Sequence, residues 1–208
     1  MKIINETTMA SGRFAKLVRV DYTDEEGMVD QYEAVKSPKG VREAVDVVAI
    51  LCPSNDLIIV KQYRPPVDAY VIEFPAGIRD EGETNIETAI RELKEETGYT
   101  VTKIIDVSPQ TASSPGIIEE FVTIVQVEVD ETDPINQNVT QNLDENESID
   151  VMRFHLSGVC ENNEDVIQSL LDDTIGTGDY VVGSRLFAWL SGMTRSLRIV
   201  PNTRGKWG

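Results

Sequence analysis

Histidine is almost missing from this chain of 208 residues. The one present, His155, rules out a cluster of imidazole ligands, and its place after an apolar strand points to a structural role. Cysteine is nearly as scarce: Cys52 and Cys160 are too few for a disulfide framework, and both stand in apolar surroundings that suit small core residues. Positive charge is short as well, with 19 Lys and Arg against 36 Asp and Glu, a formal net charge of −17 and no basic run. Phosphate backbones are held mainly by basic groups, so no nucleic-acid partner is expected. Small phosphorylated substrates remain open, because a bound cation reverses the local field. No apolar run approaches the ~20 residues that span a membrane, and MKIINETTMA lacks the apolar core of a signal peptide. These absences predict a soluble, cytoplasmic protein with no membrane partner.

What is present is strand-rich. Residues 13–22 and 28–36 read as a hairpin around the polar turn Thr23–Gly27. Pro38-Lys39-Gly40 then punctuates the chain, which sets a boundary between an N-terminal strand region, 1–43, and a main domain, 44–208. Further strands are predicted at Ala44–Cys52, Leu57–Tyr63 and Tyr70–Phe74, and at 100–107, 119–129 and 147–156. Residues 130–146 form a long polar stretch; no Lys or Arg occurs from Glu128 to Asp150. A stretch of this kind is a functional loop, a disordered insertion or a solvated surface loop. Helical patterns follow at Asn163–Asp173 and Asp179–Thr194, and Gly176-x-Gly178 between them reads as a turn. Strands with one central helix and two later ones suggest an α/β/α sandwich around a mixed sheet.

The central helix organises the rest. Thr84 and Glu87 form a capping box, Ile86, Ala89, Ile90 and Leu93 recur at helical spacing, and Gly98 is a C-terminal stop. On a helix from about Asn85 to Thr97, Glu92 and Glu96 are one turn apart, with Glu95 in the same arc. Carboxylates gathered this closely repel by up to ~4 kcal/mol per pair at 4 Å. A divalent cation relieves that, and hard cations prefer carboxylate oxygens. An arbitrary Glu-rich helix is more often a solvated acidic face.

The full spacing argues against that plainer reading. Gly77, Glu83, Arg91, Glu92, Leu93, Glu95, Glu96 and Gly98 stand at the positions of the Nudix box, with Tyr99 where an aliphatic residue is usual. The chain resembles the Nudix hydrolases. Lys61-Gln62-Tyr63-Arg64-Pro65-Pro66, Ile72-Glu73-Phe74-Pro75-Ala76-Gly77 and Pro115, sixteen residues beyond Tyr99, resemble the ADP-ribose and ADP-sugar pyrophosphatases among them.

The resemblance implies a Nudix-type α/β/α sandwich with an N-terminal β-hairpin appendage. It implies Mg²⁺-dependent hydrolysis of ADP-ribose or a related ADP-sugar to AMP and a sugar phosphate, with Mn²⁺ as a possible substitute. The Ala76 carbonyl, Glu92, Glu96 and Glu147 would be metal ligands. Glu145 would be the general base, on a segment that completes the site as it closes, and Glu95 and Arg91 would complete the catalytic set. Arg91 would hold the box carboxylates in register, with Glu83 as its partner. Arg64 would contact the diphosphate, Pro115 would mark the substrate-side loop, and Tyr32 takes the place of a base-stacking tryptophan. A homodimer through the N-terminal strands is also implied. Hydrolysis of another nucleoside diphosphate, such as GDP-mannose or a dinucleotide, and non-catalytic nucleotide binding are the alternatives. Glu73 is assigned no role, and Trp189 is expected in the core.

Overall fold

The computed structural model describes residues 1–145, 147–156 and 180–195. In chain order its strands are β1 Lys2–Ser11, β2 Lys16–Thr23, β3 Val29–Lys36, β4 Arg42–Cys52, β5 Asp56–Arg64 and β6 Ala69–Glu73. They continue with β7 Ala76–Ile78, β8 Lys103–Val107, β9 Thr111–Ala112, β10 Glu120–Asp130, β11 Ile149–His155 and β12 Tyr180–Val182. Among the described residues two α-helices accompany them, α1 Asn85–Thr97 and α2 Ser184–Arg195. The helical pattern at Asn163–Asp173, the Gly176-x-Gly178 turn and Cys160 lie outside the described residues.

The chain divides into two units. The first comprises Met1–Val47, Ala76–Glu92 and Ile104–Val127. Here the predicted hairpin forms, with Lys16 opposite Lys36 and Thr23 opposite Val29. Only the inward alternation Val18 and Val20 is buried. β1 lies outside the predicted hairpin: it pairs antiparallel to β2 from Lys2↔Thr23 to Ser11↔Lys16, and every residue in it is exposed. Without a buried face it carries no hydrophobic alternation, which is the signal strand prediction depends on. In the same unit β7 pairs with β4, Asp46 opposite Ala76, and β9 pairs with β10.

The second unit comprises Val48–Pro75, Leu93–Lys103 and Glu128–Gly208. β5 is its centre, antiparallel to β4, β6 and β11, while β12 runs parallel to β6. The sheet is therefore mixed, as expected. Leu57, Ile58, Ile59 and Val60 are fully buried, which explains why β5 reads as a continuous apolar run rather than an alternation. Trp189 of α2 is half-buried and meets Phe74 edge-on at 5.9 Å between ring centroids. One boundary is corrected. The helix expected from Asp179 begins only at Ser184, because Tyr180–Val182 pair with Tyr70–Ile72 and the Gly183 N–H donates to the Ile72 carbonyl at 2.8 Å.

Segment 130–143 is an ordered clamp. Buried Asn136 donates to the carbonyls of Thr100 and Asp130 and accepts from the Thr100 N–H at 2.7 Å. Where the chain leaves α1, Gly98 sits at φ +77. A Cβ added there would lie 2.7–2.8 Å from the backbone of Thr140. Gly98→Ala is thus expected to destabilise by more than the ~1–2 kcal/mol of a left-handed L-residue alone, since a backbone cannot step aside as a side chain can. Urea unfolding of the variant checks this; a loss under 1 kcal/mol would refute the tight approach.

Candidate active site

The N-terminus of α1 forms as its sequence predicts. The Thr84 N–H donates to Glu87 Oε2 at 2.8 Å, and the Glu87 N–H donates to Thr84 Oγ1 at 3.2 Å. Its buried side is not the predicted stripe. Ala89 and Leu93 are fully buried, but Ile86 and Ile90 are exposed, and Thr88, Thr97 and Glu96 are buried instead. Polar side chains can occupy that side because they have partners: the Thr88 hydroxyl lies 2.8 Å from Glu83 Oε2, and Thr97 Oγ1 donates to the Leu93 carbonyl. Of the acids on α1, Glu96 is buried, Glu92 and Glu95 are half-buried and Glu87 is exposed.

In the first unit four predicted residues come together with Gly77. Arg91 forks onto Glu83, Nε to Oε1 at 2.8 Å and Nη2 to Oε2 at 2.9 Å, and its Nη1 donates to Glu92 Oε1 at 2.7 Å. The Glu92 carboxylate lies directly over the Cα of Gly77, in space that any Cβ would fill. Ala76, next in chain, is held in β7 opposite Asp46. Arg79, which the sequence did not single out, steadies the turn: its Nη1 donates to the Glu83 carbonyl at 2.8 Å, and its Nη2 pairs with Glu43. Gln110 donates to the same Glu43 at 2.8 Å.

The Arg91 hydrogen bonds, opposed by partial burial, hold the Glu83 carboxyl at about 2, well below its ordinary 4.5. A depressed carboxylate contributes stability above its unfolded-state value and loses it as pH falls through the folded one. Glu83→Gln is therefore expected to be less stable than wild type above pH ~4.5, with the gap closing as pH falls toward ~2. Urea midpoints at pH 6 and pH 3 test it; a constant gap would show that the Arg91 fork has no differential charge effect.

Tyr32 and the Pro115 loop also meet within this unit. The Tyr32 hydroxyl donates to the Gly116 carbonyl at 2.6 Å. The loop is pinned along β3, with the Val35 N–H donating to the Ile117 carbonyl at 2.7 Å and the Glu119 N–H to the Val35 carbonyl at 2.9 Å. Tyr32 is about half exposed (47%).

The second unit holds Glu95, Glu96, Glu145, Glu147 and Arg64. Glu96 is buried at 4% exposure, while Glu145 and Glu147 are exposed. Glu147 folds back within its own turn, its Oε2 accepting from the Asp144 N–H at 3.1 Å and its N–H donating to the Asp144 carbonyl at 3.0 Å. Arg64 is paired with Glu73 through Nε at 2.7 Å. Glu73 thus has the orienting role that the sequence reading did not assign; the signal was its place on the strand paired with the one bearing Arg64. The lone histidine lies with its Nδ1 2.7 Å from Asp56 Oδ1.

Taken singly, the Ala76 carbonyl and the Glu92 carboxylate of the first unit, and the Glu96 carboxylate of the second, are hard oxygen donors of the kind Mg²⁺ takes. The bare Cα of Gly77 is what admits the Glu92 carboxylate. Among the described residues no three His, Cys, Asp or Glu side chains gather into a metal centre by themselves. Each of these oxygens fits such an ion by its donor chemistry.

Comparison with known proteins places these residues within a family profile. A family profile described as NUDIX domain matches residues 41–170. The ADP-ribose pyrophosphatase of Bacillus subtilis (strain 168) is 35% identical over 161 residues, covering 75% of this chain and 82% of that protein. The ADP-ribose pyrophosphatase of Saccharomyces cerevisiae is 35% identical over 147 residues, 67% of this chain and 63% of that one. Among solved structures, an ADP compounds hydrolase matches with a TM-score of 0.66 and 25% identity, over 93% of this chain and 96% of that chain.

Proposed function

This chain belongs to the Nudix family of hydrolases, and from that membership we propose that it cleaves the diphosphate of ADP-ribose or a related ADP-sugar, releasing AMP and a sugar phosphate. The observation that carries the reading is the Glu92 carboxylate seated on Gly77 and gripped by Arg91. Two ADP-ribose pyrophosphatases at 35% identity select the substrate class.

Bound Mg²⁺, or Mn²⁺ in its place, supplies charge neutralisation on the non-bridging oxygens and acidifies the attacking water. The Ala76 carbonyl, Glu92, Glu96 and Glu147 would hold it. Glu145 accepts the proton of the water as its oxygen bonds to phosphorus and the bridging P–O bond breaks, a step that contributes ~10²–10⁴-fold. Glu95 stands beside Glu96 as a further catalytic carboxylate. Arg91 keeps Glu92 in place while its own charge is balanced by Glu83. Arg64, steered by Glu73 through Nε, offers its terminal amino groups to the diphosphate. Tyr32 stacks on the base, and Pro115 shapes the loop beside it.

Residues 1–43 serve as the dimerisation region. β1 is exposed along its whole length, with Ile3, Ile4 and Met9 each about half exposed or more, which suits pairing with a second copy in the cytoplasm.

The test is product analysis after incubation with ADP-ribose, with Mg²⁺ or with EDTA. AMP and ribose 5-phosphate, formed only with the metal, are expected. Turnover confined to GDP-sugars or dinucleotides would replace the substrate assignment, and binding without turnover across that panel would replace the enzyme.

A further inference from the structure

We propose that Gln141 is a positioning residue, one that sets where the acidic turn bearing Glu145 and Glu147 stands relative to Glu96. This rests on the functional reading above, in which those three carboxylates act in one site.

Gln141 Nε2 carries two hydrogens, and both are used: one donates to the Glu96 carbonyl at 2.6 Å, the other to the Ile149 carbonyl at 2.9 Å. Only nitrogen can face two carbonyls, so the orientation of the amide is not ambiguous. The first acceptor is one of the last-turn carbonyls of α1, which have no partner within the helix. The neighbouring orphan, the carbonyl of Glu95, accepts from the Asn142 N–H at 2.8 Å. The end of α1 is thus capped by a segment far away in sequence.

The second acceptor makes this more than a cap. Ile149 opens β11 and is buried, with its strand paired to β5 at Ile149↔Gln62. Gln141 and Ile149 are the two feet of the excursion that carries Glu145 and Glu147. One side chain closes that neck and fastens it to the backbone of the residue whose carboxylate is the buried one, Glu96. Asn136 fastens the same polar segment farther upstream, to Thr100 and Asp130, without touching either foot. The two amides therefore separate general anchoring from positioning.

The experiment compares Gln141→Met, which keeps length and removes both donors, with Asn136→Ala, measuring kcat, KM, Tm and Mn²⁺ affinity by electron paramagnetic resonance. Misplacement of an acting group by about 1 Å costs ~10²-fold, so Gln141→Met is expected to lower kcat ~10–100-fold and, because Glu147 rides on the same turn, to weaken Mn²⁺ affinity, with KM within about two-fold of wild type. Asn136→Ala is expected to lower Tm while kcat stays within about two-fold. Should Gln141→Met not fold, Gln141→Asn, too short for both carbonyls, gives an intermediate kcat. A Gln141 variant that folds and keeps wild-type kcat overturns the proposal. So does a loss of kcat that tracks Tm equally in the Gln141 and Asn136 variants. A Glu96→Gln control separates the layers: full activity there would bring down the site reading itself, whereas an inactive Glu96→Gln beside an active Gln141→Met would bring down this inference alone.

Discussion

Glu96→Gln is expected to lower kcat on the order of 10³-fold, equivalent to roughly 4 kcal/mol of lost transition-state charge stabilisation. The substitution keeps shape and volume and removes one negative charge at a side chain buried to 4% exposure. Its neighbours in the last turn, the carbonyls of Glu95 and Glu96, keep their partners Asn142 and Gln141, so the helix end is not disturbed. Tm should stay within a few degrees, since removing a charge from a buried site also removes its desolvation cost. Steady-state kinetics beside a Mn²⁺ titration check the result. Weakened metal affinity together with the loss of kcat identifies Glu96 as a ligand; wild-type affinity with lost turnover would move it to another role, and unchanged kcat would exclude it from the site.

The second large effect concerns a residue with no side chain. Gly77→Ala places a methyl group where the Glu92 carboxylate now lies, and all the nearest atoms to it are the end of that one flexible side chain. No positive φ is involved at this position. The collision therefore has an easy outlet: the carboxylate swings away, leaving Arg91 with its Glu83 fork but a displaced second partner. Stability should change little, by about 1 kcal/mol or less, while kcat falls ~10²-fold, because a ligand moved by an ångström no longer meets its target. Differential scanning calorimetry and kinetics on the same preparation test the split. A variant that loses much of its stability and little activity would mean the backbone moved instead, and that Glu92 kept its place.

How much of this was legible beforehand follows from the range of each interaction. The capping box at Thr84 and Glu87, the turn of helix separating Glu92 from Glu96, and the Arg91 pairing with Glu83 lie within one short stretch, so spacing alone expresses them. The hairpin of β2 and β3 and the apolar strands β4 and β5 carry their burial in their own pattern. β1 was missed because it has no buried face, and the start of α2 was misplaced because Tyr180–Val182 pair with a strand more than a hundred residues earlier.

The sequence by itself determined the family and the helix that sets Glu92 and Glu96 one turn apart. Local backbone geometry converts residue spacing directly into position, so those features need no distant partner. Only the tertiary structure decided which side of α1 is inside, that Arg64 leans on Glu73, that Gly77 is the seat of Glu92, and that the polar segment after β10 is a clamp on the end of the helix. Those depend on hydrogen bonds and contacts between residues brought together by folding, where composition and periodicity carry no information about who will meet whom.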